Sequence, residues 1–187
     1  MLKVILFAIV VLFHAGAAWS ASIGPSCGSC DGAVYTLSYS GIPLSDSDPA
    51  HETFRITYSI DTNTYSGGGS FLDNVAIKVG SKTISATLFA APGGIALWNG
   101  PDVDSGINAG GCSGRGNGFL CLDGLDNGGK GFLITTGNGV GTDLSFIFDV
   151  VVPNGKLDTD AHIKARYVNG QGNKKGALLS EDIALGI

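Results

Sequence analysis

The sequence predicts an all-β fold, namely a single antiparallel β-sandwich or jelly-roll-like domain with a disulfide-bearing glycine-rich loop. Three observations predict it. Apolar and polar residues alternate with a period of two in many short segments, as in strands that are buried on one face. Turns rich in glycine and proline separate these segments, and the 187 residues include 30 glycines. After residue 21, no segment keeps the 3.6-residue period of a helix over ten residues.

The first 21 residues have the pattern of a cleavable signal peptide. Lys3 supplies a positive charge, residues 4–13 are apolar, and small residues follow up to Ala21. The alternatives are an uncleaved anchor or a buried helix, but the apolar run is shorter than the roughly 20 residues that span a bilayer. We therefore expect residues 1–21 to be removed, residues 22–187 to form the β-sandwich domain, and no membrane insertion after cleavage.

The charge of the expected domain excludes two classes of partner. Without Lys3 it has 10 basic and 16 acidic residues, a net charge of −6. Nucleic acids and anionic membranes attract positively charged surfaces. We therefore expect neither of them as a partner.

Alternating segments predict the strands in chain order. The clearest segment runs from Glu52 to Ile60, where Phe54, Ile56 and Tyr58 share one face with Ile60. The other apolar rows are, in order, Tyr35, Leu37 and Tyr39; Val75, Ile77 and Val79; Ile84, Ala86 and Leu88; Leu144, Phe146, Phe148, Val150 and Val152; Ile163, Ala165 and Tyr167; Ile183 and Leu185.

Residues 98–131 interrupt this alternation. They are rich in glycine and aspartate, contain two cysteines, and show little periodicity. A long stretch without regular structure in a compact domain is usually functional or mobile. We therefore expect an irregular loop here, and we expect any binding site to lie in it or in the sheet-end loops near it.

Four cysteines in an exported chain indicate disulfides. Of the three possible pairings, we favour the local one, Cys27–Cys30 and Cys112–Cys121, in which the second bridge closes a glycine-rich loop. A redox-active pair or a zinc site is the alternative. The first pair precedes a strand rather than a helix, and the second pair has eight residues between its cysteines, so both alternatives are disfavoured.

The candidate ligand-binding residues cluster near the second pair of cysteines. Aspartate oxygens are suitable ligands for Ca²⁺, although no EF-hand loop is present and such residues also simply form turns. Trp98 and Asn99 could form a platform for a sugar, or Trp98 could cap the core. We expect no cofactor, with Ca²⁺ as the alternative, and its candidate ligands are Asp102, Asp104, Asp123 and Asp126.

Catalysis is not predicted. The expected domain has two histidines, His51 at a strand entrance and His162, which alternates outward with Lys164 and Arg166. Either could meet a serine and an aspartate in space, but no nucleophile-elbow motif marks a serine. We therefore expect no enzyme, and a secreted hydrolase is the least favoured alternative.

Six segments resemble secreted bacterial proteins of the PEP-CTERM, or exosortase-sorted, group. They are residues 22–37 (SIGPSCGSCDGAVYTL), 52–57 (ETFRIT), 73–79 (DNVAIKV), 90–94 (AAPGG), 163–168 (IKARYV) and 175–181 (KGALLSE). The resemblance implies an exported β-sandwich linked to the envelope, exopolysaccharide and biofilm, and it implies no catalytic residues. The last residues lack the Pro-Glu-Pro motif, apolar helix and basic cluster of the sorting tag, so we expect release into the periplasm or the medium.

Together these observations predict a non-enzymatic secreted protein with a structural or interaction role in the bacterial envelope, extracellular matrix or biofilm. Extracellular polysaccharide and matrix proteins are the expected partners. The alternative is a Ca²⁺-dependent carbohydrate-binding module.

Overall fold

The computed structural model of the chain describes residues 18–40, 48–108, 110–134, 143–155 and 157–184. Most of the predicted signal peptide (residues 1–17) and the predicted strand residue Leu185 lie outside the described residues. Among the residues that are described, no helix is long and apolar enough to cross a membrane.

Two antiparallel sheets pack together, which confirms the predicted all-β sandwich. The five-stranded sheet has the order β1-β2-β3-β9-β5, and the six-stranded sheet has the order β11-β10-β4-β7-β6, with β8 paired to β4. The strands are β1 (Ala18–Ile23), β2 (Val34–Ser40), β3 (His51–Asp61), β4 (Phe71–Gly80), β5 (Ser85–Ala90), β6 (Trp98–Asn108), β7 (Gly111–Gly124), β8 (Phe132–Leu133), β9 (Asp143–Pro153), β10 (Leu157–Val168) and β11 (Lys174–Ala184). A short helix, α1 (Asp126–Gly129), and a 3₁₀ turn (Ile95–Leu97) complete the described structure.

The predicted apolar rows of β2, β3, β9 and β10 form the core between the sheets. Ile56, Tyr58, Phe146 and Ile163 have no exposed surface. Each of these rows alternates with partly exposed residues, because successive side chains of a strand point to opposite faces. The row of β5 is less buried, since β5 lies at the edge of its sheet.

The predicted long irregular loop at residues 98–131 is wrong, because β6 and β7 form an antiparallel hairpin there. The glycines of β7 carry no side chain, so they hide the alternation by which a strand is recognised. The register is also irregular: Val103 lies opposite Leu120, whereas Ser105 lies opposite Arg115. Two steps along β6 thus match five along β7, and the surplus residues bulge out of the ladder.

Both local disulfides are confirmed, Cys27–Cys30 and Cys112–Cys121. Cys112 and Cys121 belong to the same strand, and their Cα atoms are 5.6 Å apart. Nine residues of straight strand would span roughly 30 Å. The bulge of β7 therefore brings these two cysteines together.

The tip of the β6–β7 hairpin folds over the outer face of the six-stranded sheet. Ile107 and Cys112 pack there on Ala76 and Cys121, and this small second core lies outside the sandwich. Gly111 permits the close approach, because its φ is 100° and an added Cβ would lie 3.0 Å from the Asp123 carboxylate. The hairpin tip therefore covers the middle of this outer face. One end of the face carries a buried polar cluster, and the other end is open to solvent.

Strand β1 begins at Ala18, upstream of the predicted cleavage site. It pairs with β2 from Ala18 opposite Ser40 to Ile23 opposite Tyr35. Trp19 and Ala21 pack against the core. Cleavage before Ala21 or Ser22, as the sequence predicts, would therefore leave only the last part of this strand.

Candidate functional site

The structure places the predicted sugar platform, Trp98, in the core. Its side chain is 4% exposed, and its indole N–H donates a hydrogen bond to the Pro92 carbonyl at 3.0 Å. Phe132 stacks parallel to its ring at 6.4 Å between centroids, and Phe146 meets it edge-on at 4.8 Å. This geometry favours the core interpretation of Trp98. Its neighbour Asn99 is exposed and lies opposite Asp123 in the ladder.

The four predicted Ca²⁺ ligands are not brought together. Asp102 and Asp104 are exposed on β6, and the Asp104 carboxylate accepts the Gly118 N–H at 2.7 Å. Asp123 lies on β7 and Asp126 begins α1. Within the described ranges, no group of three or more histidine, cysteine, aspartate or glutamate side chains is arranged to hold a metal. A Ca²⁺ site at these residues stays a prediction from the sequence.

One predicted ligand belongs instead to a buried polar cluster at one end of the outer face. Arg166 donates to the Asp73 carboxylate and, at 3.0 Å, to the Asn74 side-chain oxygen. Asn74 in turn donates to Asp123, which also accepts the Cys112 N–H at 3.2 Å. Burial raises the pKa of Asp73, although the positive charge of Arg166 opposes this shift. The hairpin tip is thus tied to the sheet by a connected network.

The other end of the outer face is open to solvent. Strand register places Asp182, His162, Lys78 and Phe119 in one row across β11, β10, β4 and β7. The next row begins with Ser180 opposite Lys164. Together with Asp160 these side chains line a cavity of about 280 Å³. We call this set the Phe119 patch, and its members are Lys78, Phe119, Asp160, His162, Lys164, Ser180 and Asp182.

A half-buried aromatic ring lies at the centre of the Phe119 patch. The Lys164 ammonium is 4.5 Å from the centroid of the Phe119 ring, and the Lys78 ammonium is 6.0 Å away. The His162 ring meets Phe119 edge-on, with centroids 5.4 Å apart. Such cation–ring contacts stabilise a fixed arrangement of charge around an apolar surface. The patch therefore combines one aromatic ring with both hydrogen-bond donors and acceptors.

His162 connects an aspartate and a serine within the patch. Its Nδ1 atom is 2.6 Å from an Asp182 carboxylate oxygen, and its Nε2 atom is 2.9 Å from the Ser180 hydroxyl. His162 is 26% exposed and Asp182 is 84% exposed. The sequence indicated that His162 faces outward with Lys164 and Arg166. The structure confirms this for His162 and Lys164, whereas the Arg166 side chain is covered and only 11% exposed. The sequence did not identify Ser180 and Asp182, whose only signal is that they alternate outward on a different strand.

The second histidine lies on the five-stranded sheet. His51 Nδ1 is 2.6 Å from the Asp48 carboxylate, and both residues are partly or fully exposed. On the same sheet, the Arg55 guanidinium lies 4.1 Å from the centre of the Phe89 ring, which is 58% exposed. These two arrangements resemble parts of the Phe119 patch and provide matched controls for it.

A further cavity, of about 480 Å³, lies between the edge strands β5 and β6. Its lining is Ala86, Thr87, Leu88, Ile95, Ala96, Gly100 and Pro101. None of these side chains is charged or titratable. The Phe119 patch is therefore the better candidate for specific recognition, since polar groups at fixed positions provide specificity.

Comparison with known proteins finds no match to this chain among family models, curated proteins or solved structures.

Proposed function

We propose that this chain is an exported interaction module of the bacterial envelope, extracellular matrix or biofilm, and that it binds extracellular polysaccharide through the Phe119 patch. The observation that carries the proposal is the ring of Phe119, held on a sheet between the ammonium groups of Lys78 and Lys164.

Export is supported by two independent features. Disulfides form and persist in oxidising compartments, and the chain has two, Cys27–Cys30 and Cys112–Cys121. The first 21 residues also have the composition of a signal peptide. Both features support a protein that acts outside the cytoplasm.

Polysaccharide as the partner is supported by the chemistry of the patch. A sugar ring has an apolar face, which packs on an aromatic ring, and hydroxyl groups around its edge that both donate and accept hydrogen bonds. Lys78 and Lys164 are donors, whereas Asp160 and Asp182 are acceptors, and all four line the same cavity. This proposal does not need Ca²⁺, because the patch has its own charged groups.

The test compares two phenylalanines on opposite sheets. Phe119→Ala should weaken binding to a responsive polysaccharide about tenfold or more, because it removes the apolar surface on which the sugar packs. Phe89→Ala should leave binding unchanged, although it also removes a ring in contact with a cation. Binding is measured by glycan array and then by calorimetry, each with Ca²⁺ and with EDTA.

Phe119 also packs against the second core, so the variant needs a check of its fold. Lys164→Gln serves as a second variant, since it removes the cation without removing the ring, and it should weaken binding less. Equal binding by Phe119→Ala and the wild type, or an array without any response to the wild type, would contradict the proposal. Binding that disappears in EDTA would instead support the Ca²⁺-dependent alternative.

A further inference from the structure

We infer that Ser180, His162 and Asp182 form a triad that hydrolyses carboxylic esters. The substrate class of this triad rests on the proposed function: the esters are O-acyl groups on the polysaccharide that the Phe119 patch binds. The inference departs from the sequence-based expectation that the protein is not an enzyme.

The two hydrogen bonds of His162 determine its proton arrangement. A carboxylate only accepts, so the short contact of Nδ1 with Asp182 requires that Nδ1 carries a proton. In the neutral ring, Nε2 then has a free electron pair, which faces the Ser180 hydroxyl at 2.9 Å. This is the arrangement in which a histidine acts as general base for a serine nucleophile.

The sheet itself holds the three side chains in place. His162 on β10 lies directly opposite Asp182 on β11, and Ser180 precedes Asp182 by two residues. Residues two apart on a strand share a face, so Ser180 and Asp182 reach the same imidazole from its two nitrogens. Sites built on strands are positioned more precisely than sites built on loops.

The surroundings of Ser180 suit an acyl group. Ser180 and Phe119 line the same cavity of about 280 Å³, whose volume is sufficient for a small acyl group. Ester attack places negative charge on the carbonyl oxygen. Lys78 and Lys164, which line the same cavity as Ser180, favour that charge, whereas Asp160 and Asp182 in the same lining oppose it. Lys164 lies opposite Ser180 in the ladder, so the cation and the nucleophile belong to neighbouring strand positions.

The reaction needs only water as the second reactant. The Ser180 oxygen forms a bond to the acyl carbon while its proton passes to His162 Nε2. The carbon–alkoxy bond then breaks, and the sugar hydroxyl leaves with the proton from Nε2. Water attacks the acyl-serine, gives its proton to Nε2, and releases the carboxylic acid as Ser180 regains its proton. The sum is ester plus water to acid plus alcohol.

Asp182 is a positioning residue rather than a catalytic one in ester hydrolysis, because its carboxylate acts on the reacting groups only through His162. Since its side chain is 84% exposed, water screens its charge, and its main effect is to hold the ring and its tautomer. Asp182→Asn should therefore lower kcat for an aryl acetate by less than His162→Gln does, with KM unchanged. Asp182→Glu should restore part of the lost kcat.

The test uses the purified protein, a fluorophosphonate probe and 4-nitrophenyl acetate. We expect the probe to label Ser180, as located by peptide mass spectrometry. Ser180→Ala should lose the label, and His162→Gln should lower ester hydrolysis about 10²- to 10⁴-fold. His51→Gln is the matched control, because His51 also pairs with an aspartate, and it should label and hydrolyse like the wild type.

Hydrolysis by Ser180→Ala at the wild-type rate, or a wild type that is no faster than His162→Gln, would overturn the inference. A second assay, which measures binding of the wild-type protein to the polysaccharide, separates the inference from the proposed function. Binding without hydrolysis would leave the proposed function standing and refute the triad. Labelling and hydrolysis of the aryl ester without polysaccharide binding would support the triad and refute the polysaccharide as its partner.

Discussion

At the scale of single residues, two arginine–aspartate pairs in this molecule differ mainly in their exposure to water. The side chains of Arg166 and Asp73 are 11% and 10% exposed, whereas those of Arg55 and Asp149 are 41% and 27% exposed. Removing one partner of a buried pair leaves an uncompensated charge in the interior, but an exposed charge is solvated when its partner is lost. Burial therefore decides how much each pair matters.

Arg166→Gln should lower the free energy of unfolding by about 3–5 kcal/mol at neutral pH, because the buried Asp73 carboxylate loses its counter-charge. Arg55→Gln is the control and should lower the free energy of unfolding far less, because its charge is solvated, although it breaks two hydrogen bonds of 2.8 Å to Asp149. Urea unfolding of both variants measures the difference. Equal losses would show that the cluster around Asp73 is not the stabilising feature inferred from its burial.

The loss of stability in Arg166→Gln should also depend on pH. Burial raises the pKa of Asp73 above its usual 3.8, so the Asp73 carboxylate binds a proton more tightly in the folded state than in the unfolded state. The resulting stabilisation is complete below pH 3.8 and is lost as the pH rises through the raised value. Without Arg166 the pKa should rise further, so the destabilisation should shrink as the pH falls. A difference between variant and wild type that is constant with pH would contradict this.

At the scale of elements, the β6–β7 hairpin determines the shape of the outer face. Its bulge lets Cys112 reach Cys121, and its tip covers Ala76 with Ile107. The same hairpin leaves the Phe119 end of the face open. The disulfide thus stabilises the boundary between the covered and the open parts of the sheet.

Replacing both Cys112 and Cys121 with alanine should lower the free energy of unfolding by about 2–3 kcal/mol. The reason is that a crosslink between residues nine positions apart no longer restricts the conformations of the unfolded chain. Amide hydrogen exchange should accelerate in residues 105–115 and remain slow in residues 74–78 of β4. Replacing Cys27 and Cys30 is the control, and it should not affect exchange in the hairpin tip. If exchange accelerates equally in β4, the tip is not a separate unit.

At the scale of the whole molecule, tyrosines connect the two sheets. The chain has five tyrosines, and all are buried, with exposures between 0% and 6%. The hydroxyl of Tyr35 on β2 lies 3.0 Å from that of Tyr167 on β10, and Tyr65 stacks on Tyr167 with centroids 4.4 Å apart. A phenolate in this core would be desolvated, so its formation is coupled to opening of the sandwich.

Alkaline titration should therefore show no independent ionisation of tyrosine near pH 10. Burial raises the pKa of all five phenols, and that of Tyr65 to about 12. The neutral phenols stabilise the fold fully below pH 10, and this contribution is lost as the pH rises above 10. We expect the ultraviolet absorbance of phenolate to rise in one cooperative step together with loss of circular dichroism. A gradual rise near pH 10 with intact circular dichroism would contradict this.

The sequence predicted the strands that bury one face, because period-two alternation is a local property of each segment. Phe54, Ile56 and Tyr58 in β3 illustrate this, since each lies in the core as the pattern indicated. The period-two pattern did not reveal β6 and β7 as strands, because glycines take the place of alternating apolar and polar side chains there. The sequence also left Trp98 open as either a sugar platform or a cap on the core, because a single tryptophan gives no sign of which face covers it.

By itself, therefore, the sequence determined the all-β class, most of the strands and the local pairing of the cysteines, because each of these depends on residues close together in the chain. Only the tertiary structure decided the site. Phe119, His162 and Ser180 come from three strands, and only the pairing order β11-β10-β4-β7 places them on one face. That order depends on how two whole sheets bury their apolar faces against each other, which no single segment of the sequence records.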